Sequence, residues 1–249
     1  MDGGYPVLAV TCLAFEARIA AGRGVRVFCA SERHRLLARI EAATANGCCG
    51  IVSFGVAGGL DPTLVPGDQI IATSVVTDHA RFRADETWAR ALLAALPGSV
   101  HADISGADAP IADPADKLML RRSHRTVAVD TESHVVAAVA ARCGLPFAAV
   151  RVVLDPAHRR LPPAALVPLR HDGSADVRAV MGSVRQQPGQ LPDLLRIVAD
   201  ASLARSTLAL GRRRLGHALA FPRAVAPQPE EIATEAAAAI LAQSAAGSG

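Results

Sequence analysis

Short β-branched runs alternate with helical patterns from residue 6 to residue 155, and no other feature limits the fold so strongly. Strand-like runs occupy 6–12, 24–29, 50–54, 69–76, 100–104, 126–129 and 147–154, and helical patterns fall at 16–20, 32–46 and 132–142. Ser31 is placed to cap the second helix, with Leu36, Leu37 and Ile40 on its apolar face and Gly47 as its stop. Strands interleaved with helices predict an α/β layer structure on a parallel or mixed sheet. Beyond Asp155 the rhythm changes. Leu161-Pro162-Pro163 is a rigid connection, 176–184 is helical, and 191–215 is one long helix with Leu194, Leu195, Val198, Ala201 and Leu208 as its apolar positions. Residues 221–249 carry Pro222, Pro227 and Pro229 ahead of an alanine-rich run. The pattern therefore predicts one domain over 1–220 and a tail outside the core over 221–249.

Composition removes several classes of function. A chain that is 51% hydrophobic is too apolar for disorder, yet no stretch approaches the ~18–20 apolar residues of a membrane span. The first residues are acidic rather than basic, which does not fit a secretory signal. Cys12, Cys29, Cys48, Cys49 and Cys143 are odd in number and lack metal-ligand spacing, so they fit packed thiols of a soluble cytoplasmic protein. Of 26 basic residues only Lys117 is a lysine, a bias of the kind a GC-rich genome gives. The arginines are dispersed apart from Arg212-Arg213-Arg214, and aromatics at 3% cannot build a base-stacking platform, so no nucleic-acid partner is expected.

The chemistry-bearing residues gather at strand ends. Gly55-Val56-Ala57-Gly58-Gly59-Leu60 follows the third strand as a glycine-rich turn, without the Lys-Ser/Thr of a phosphate-binding loop or the spacing of a dinucleotide fingerprint. Glu16 follows the first strand, Glu132 opens a helix after a short strand, and Asp155 ends the last strand, with Pro156 holding it away from helical geometry. Singly, Glu132 fits an ordinary first-turn acid and Asp155 a turn residue. In α/β sheets ligands bind beyond the strand C-termini, so together they predict one shared cleft. No metal-ligand cluster accompanies them. His79, His124, His134 and His158 have no partner spacing and fit surface or structural positions.

Three segments resemble the nucleoside phosphorylase and nucleosidase superfamily: the run from Gly55 through Pro66-Gly67-Asp68, Val129-Asp130-Thr131-Glu132-Ser133, and Arg151-Val152-Val153-Leu154-Asp155-Pro156-Ala157. They occur in the family order and cover about residues 5–158. The resemblance implies a three-layer αβα fold with a mixed central sheet, a homodimer, no cofactor and no metal. It also implies cleavage of a purine N-glycosidic bond. Asp155 would protonate the base at N7, and Glu16 would activate water. Glu132 would hold the ribose hydroxyls, and Asp130, Thr131, Ala57, Gly58 and Leu154 complete the implied substrate-binding set. Three positions depart from the family: Thr131 replaces a methionine, Leu154 replaces a serine that would orient Asp155, and residues 105–111 lack the aromatic that stacks the base.

Thr11-Cys12-Leu13-Ala14-Phe15-Glu16 is similar to the adenine-releasing nucleosidases, whereas hexameric phosphorylases carry Gly-Asp-Pro-x-Arg there. This favours hydrolysis over phosphorolysis. Phosphate would call on Arg18, Arg81 or Arg151. Leu13 to Arg18, Leu154 and the Pro- and Arg-rich C-terminal half resemble the hopanoid-biosynthesis branch, which implies release of adenine from adenosylhopane. A methylthioadenosine or adenosylhomocysteine nucleosidase is the alternative enzyme, and a non-catalytic nucleoside-binding protein the alternative of another class. For a lipid-linked substrate, helix 191–215 either packs on the core or lines a hydrophobic entrance, with Arg212, Arg213 and Arg214 as a basic edge touching the inner-membrane surface.

Overall fold

The computed structural model describes residues 5–29, 33–170 and 172–222. The strands are β1 (Val7–Thr11), β2 (Val25–Cys29), β3 (Gly50–Gly59), β4 (Gln69–Val76), β5 (Arg81–Arg83), β6 (Val100–Gly106), β7 (Ala128–Asp130) and β8 (Phe147–Asp155). The helices are α1 (Ala14–Ala20), α2 (Arg33–Ala45), α3 (Glu86–Ala95), α4 (Pro114–His124), α5 (Ser133–Arg142), α6 (Val177–Gln186) and α7 (Leu191–Leu215). One mixed sheet runs β2-β1-β3-β7-β6-β4-β5, and β8 bridges β3 in parallel and β4 antiparallel. Strands β3, β8, β4, β6 and β7 thus close on themselves and bring the ends of β3, β7 and β8 together.

Strand alternation builds the layers. On β1, Leu8 and Val10 join the core formed with Leu36 and Ile40 of α2 and Val136 and Val139 of α5. Val7 and Ala9 join the opposite core, with Trp88 and Leu92 of α3 and Leu208 and Leu215 of α7. The expected α/β fold, with helices on both faces of a mixed sheet, is present. Helices α3 and α4 and strand β5 lie where the sequence pattern assigned no element. Asp85 caps α3 through the Trp88 N–H, and Asp113 caps α4 ahead of Pro114.

Several expectations change. The run 55–60 is not a turn: β3 continues to Gly59, and Gly55, Gly58 and Gly59 lie outside the left-handed region. On α2, Leu36 and Ile40 are buried but Leu37 is 40% exposed, and the proposed cap Ser31 lies outside the described residues. The bounds of α7 match expectation, but its buried stripe is Ile197, Ala204, Leu208, Gly211 and Leu215, while Leu195 and Val198 are exposed. Arg212 belongs to no basic edge. Its side chain is buried and donates to Ala20 O at 2.9 Å and Gly216 O at 2.7 Å, tying the ends of α1 and α7 together.

A left-handed turn at 218–220 follows α7, and Leu219 O accepts from Trp88 Nε1 at 3.0 Å. Phe221, which the sequence pattern puts in the tail, packs edge-on against Trp88 with centroids 4.8 Å apart. Residues 223–249, with Pro227 and Pro229, lie outside the described residues. Among the described residues no helix is long and apolar enough to cross a membrane.

Candidate active site

Glu16 is fixed by backbone donors. It lies in the first turn of α1, directly after β1, and its carboxylate folds back over the start of its own helix. Oε2 accepts from Cys12 N at 3.0 Å and Leu13 N at 2.8 Å, and Oε1 accepts from Val56 N at 2.7 Å. This explains Gly55: a Cβ there would collide with the Glu16 carboxylate and lie 2.8 Å from Arg151 Nη1. The glycine serves close approach, not a turn. Glu16 is 1% exposed, and burial pushes its carboxyl up to about 7 against the pull of Arg151 and the backbone N–H groups.

Arg151, on β8, anchors a second acidic group. Its Nε lies 2.8 Å from Asp130 Oδ2, and Nη2 donates to Ser133 Oγ at 3.0 Å and Ser53 Oγ at 2.5 Å. Asp130 also accepts from the Glu132 and Ser133 N–H groups at 2.9 and 2.7 Å, capping α5. Glu132 is left with its carboxylate toward the cavity, 3.8 Å from Arg151 Nη2. Thr131 Oγ1 donates to Glu132 Oε1. Burial, reinforced by Asp130, raises Glu132 above the ordinary carboxylate range.

Asp155 ends β8. The β3–β8 register shifts between Ala57 and Gly58, so Gly58 pairs with Asp155 and Leu154 is the extra residue of a bulge. A Cβ on Gly58 would lie 3.3 Å from Asp155 Oδ1. The sequence left Asp155 short of one orienting hydrogen bond because of Leu154, and the structure supplies one from Lys117 of α4. Lys117 Nζ pairs with Asp155 Oδ2 and donates to Pro156 O at 3.1 Å and Arg159 O at 3.3 Å. Burial raises the Asp155 carboxyl, with the Lys117 charge opposing. Sequence reasoning missed Lys117. Its singularity as the lone lysine was the available signal.

A cavity of about 230 Å³ is lined by Glu16, Ala57, Gly58, Asp130, Thr131, Glu132, Leu154 and Asp155, so the eight residues singled out from sequence lie around one cavity. Ala109, Pro110, Ile111, Leu161 and Ala165 also line it. No lysine, arginine or histidine lines it among the described residues. Arg18 is exposed and bonds Ala14 O of its own helix. Arg81 pairs with Asp103 in a separate hollow, and Arg151 lies buried with Asp130. Of the histidines, His79 and His158 are exposed, His124 bridges Ser105 and Asp78, and His134 pairs with Asp108.

The sequence profile of the phosphorylase superfamily matches residues 19–199. No curated protein is matched by sequence search. Among solved structures, S-adenosylhomocysteine nucleosidase from Streptococcus pyogenes, in complex with 5-methylthiotubericidin, is similar at TM-score 0.60 and 13% identity, over 86% of this chain and 98% of that one. The 5′-methylthioadenosine/S-adenosylhomocysteine nucleosidase from Neisseria meningitidis is similar at TM-score 0.58 and 16% identity, over 84% and 97%. Futalosine hydrolase of Helicobacter pylori is similar at TM-score 0.56 and 14% identity, over 73% and 98%.

Proposed function

The chain belongs to the phosphorylase superfamily, and on that footing we propose that it hydrolyses the N-glycosidic bond of a purine nucleoside and releases adenine. The observation that carries this reading is the convergence of Glu16, Glu132 and Asp155 on one cavity with no cation in its lining among the described residues. A cluster of carboxylates opposes a phosphate anion and stabilises the positive charge that develops on the sugar as the bond breaks. The leaving purine needs a proton, and Asp155, raised by burial, supplies it at N7. Glu132 hydrogen-bonds the ribose hydroxyls. Glu16, poised near neutral pH, takes a proton from the attacking water. Ala109, Pro110, Ile111 and Leu154 offer the base an aliphatic wall in place of an aromatic one.

We further propose that the 5′ substituent is large and apolar, as in adenosylhopane. Support comes from Ala165, which lines the cavity, and from Leu166, next to it in sequence and 40% exposed. Helix α6 packs against the short helical turn Pro163–Leu166 and shows Val177 and Met181, one helical turn apart, at 64% and 61% exposure. The nucleosidase folds favour the alternative of a methylthioadenosine or adenosylhomocysteine substrate. A homodimer remains part of the proposal. So does weak contact with anionic lipid, now through Arg213 and Arg214 alone, because Arg212 is buried.

Adenine release from a panel of 5′-substituted adenosines tests the reading. Turnover should rise with the apolar bulk of the substituent. Preference for methylthioadenosine would favour the alternative, and release from none of the panel would leave a binding protein.

A further inference from the structure

Lys117 is the lone lysine among 26 basic side chains, and it is 1% exposed. Burying an ammonium costs several kcal/mol unless partners replace its water. Here one acceptor meets each of its three N–H groups: Asp155 Oδ2, Pro156 O and Arg159 O. Lys117 does not line the cavity, whereas Asp155 does. Any proton that passes between Lys117 and a bound ligand therefore travels through Asp155. An arginine would supply the same charge but holds its proton permanently, while a lysine can release one.

Among the described residues, the neighbouring charges have partners of their own. Arg159 bonds Lys117 through its carbonyl, and its guanidinium, the next cation beside Asp155, is engaged by Asp200 of α7. Asp113 at the head of α4 is taken by Arg160, and Arg121, one turn beyond Lys117 on α4, by Asp61. The Lys117–Asp155 pair is thus left to exchange a proton between its two members.

We propose that Lys117 is a positioning residue and proton store that loads Asp155 with the proton delivered to the leaving base. This rests on the hydrolysis proposed above. As the bond between C1′ and the base breaks, its electron pair passes into the purine, and one proton moves from the Nζ ammonium to the Asp155 carboxylate and on to N7. Lys117 is left as a neutral amine beside the Asp155 carboxylate. Water adds its oxygen to C1′ and gives a proton to Glu16, so the total charge of the site is unchanged. Solvent then takes the proton from Glu16 and returns one to Lys117.

The test uses the single lysine. In full-length protein labelled with ¹⁵N at lysine side chains, Nζ of Lys117 gives the one side-chain signal, and its titration midpoint is read directly. The alkaline limb of kcat for adenine release should share that midpoint. Lys117→Arg, which keeps the charge and withholds the proton, should lower kcat by about 10²–10⁴, the range for proton transfer to a reacting group, with KM nearly unchanged. A kcat that stays flat through the Lys117 midpoint, or a Lys117→Arg variant with wild-type kcat, overturns this inference alone. If the variant does not fold, the coincidence of midpoints in the wild type still decides. A wild type that releases base from no nucleoside overturns the proposed function and this inference with it.

Discussion

Replacing Glu16 by glutamine should stabilise the protein at alkaline pH while abolishing hydrolysis. Burial moves the Glu16 carboxyl from 4.5 in a solvated chain to about 7 in the fold. At ~1.4 kcal/mol per pH unit this displacement is worth about 3 kcal/mol. The direction follows from proton counts. Below the unfolded value both states hold the proton. Between 4.5 and about 7 the folded state retains a proton that the unfolded chain has lost, so stability falls as pH rises. Above that window both states are ionised and the loss is constant. Glutamine resembles the protonated carboxyl in shape, with one oxygen still facing backbone donors, and it does not titrate. Urea unfolding of the two chains from about pH 4 to about pH 9 isolates Glu16, because other titrating groups are common to both. They should match at the acidic end. The variant should be more stable by about 3 kcal/mol at the alkaline end, or roughly 6–12 °C in Tm for a chain of this size. A difference that stays flat with pH would refute the reasoning. So would a wild type that gains on the variant as pH rises, because the backbone donors and Arg151 would then outweigh burial.

Gly55→Ala should push the Glu16 carboxylate off the Val56 N–H, costing about 1–3 kcal/mol for the unmade buried bond, seen as a lower Tm together with reduced kcat. Glu132→Gln should raise KM and lower kcat together, because ribose contacts act in ground and transition states alike; steady-state kinetics separates this from a change in either alone. A chain ending at Pro222 should melt as the full chain does, whereas one ending at Gly216 loses Leu219 and the Phe221–Trp88 contact. By the scale of lost core side chains it should lose about 3–5 kcal/mol, measured by thermal unfolding.

The strand-and-helix rhythm was legible because buried strands and capped helices leave local signatures, and the bounds of α7 follow from such signals alone. Its buried face was not. Leu195 and Val198 look like core by composition, yet the sheet meets the side bearing Ile197, Ala204 and Gly211, a choice made by tertiary packing. Gly55-Val56-Ala57-Gly58-Gly59 carries the composition of a turn, but the glycines stand in a strand because Glu16 and Asp155 occupy the space a Cβ would fill. That Glu16, Glu132 and Asp155 gather around one cavity was readable from their places at strand ends. Their second layer was not. Arg151 sits inside an apolar strand run, and Lys117 reaches Asp155 from α4, 38 residues earlier in sequence. Arg212, read as a surface charge beside Arg213 and Arg214, is drawn inward by the carbonyls that end α1 and α7.

The central claim is hydrolysis with Asp155 as proton donor. Its most direct measurement is turnover of an adenosine bearing an apolar 5′ substituent in phosphate-free, oxygen-18-enriched water, for the wild type and Asp155→Asn. The expected products are free adenine and a sugar carrying the heavy oxygen at C1′, with kcat lowered by about 10²–10⁴ in the variant. Adenine that appears only after phosphate is added, or an Asp155→Asn chain with wild-type turnover, would contradict it.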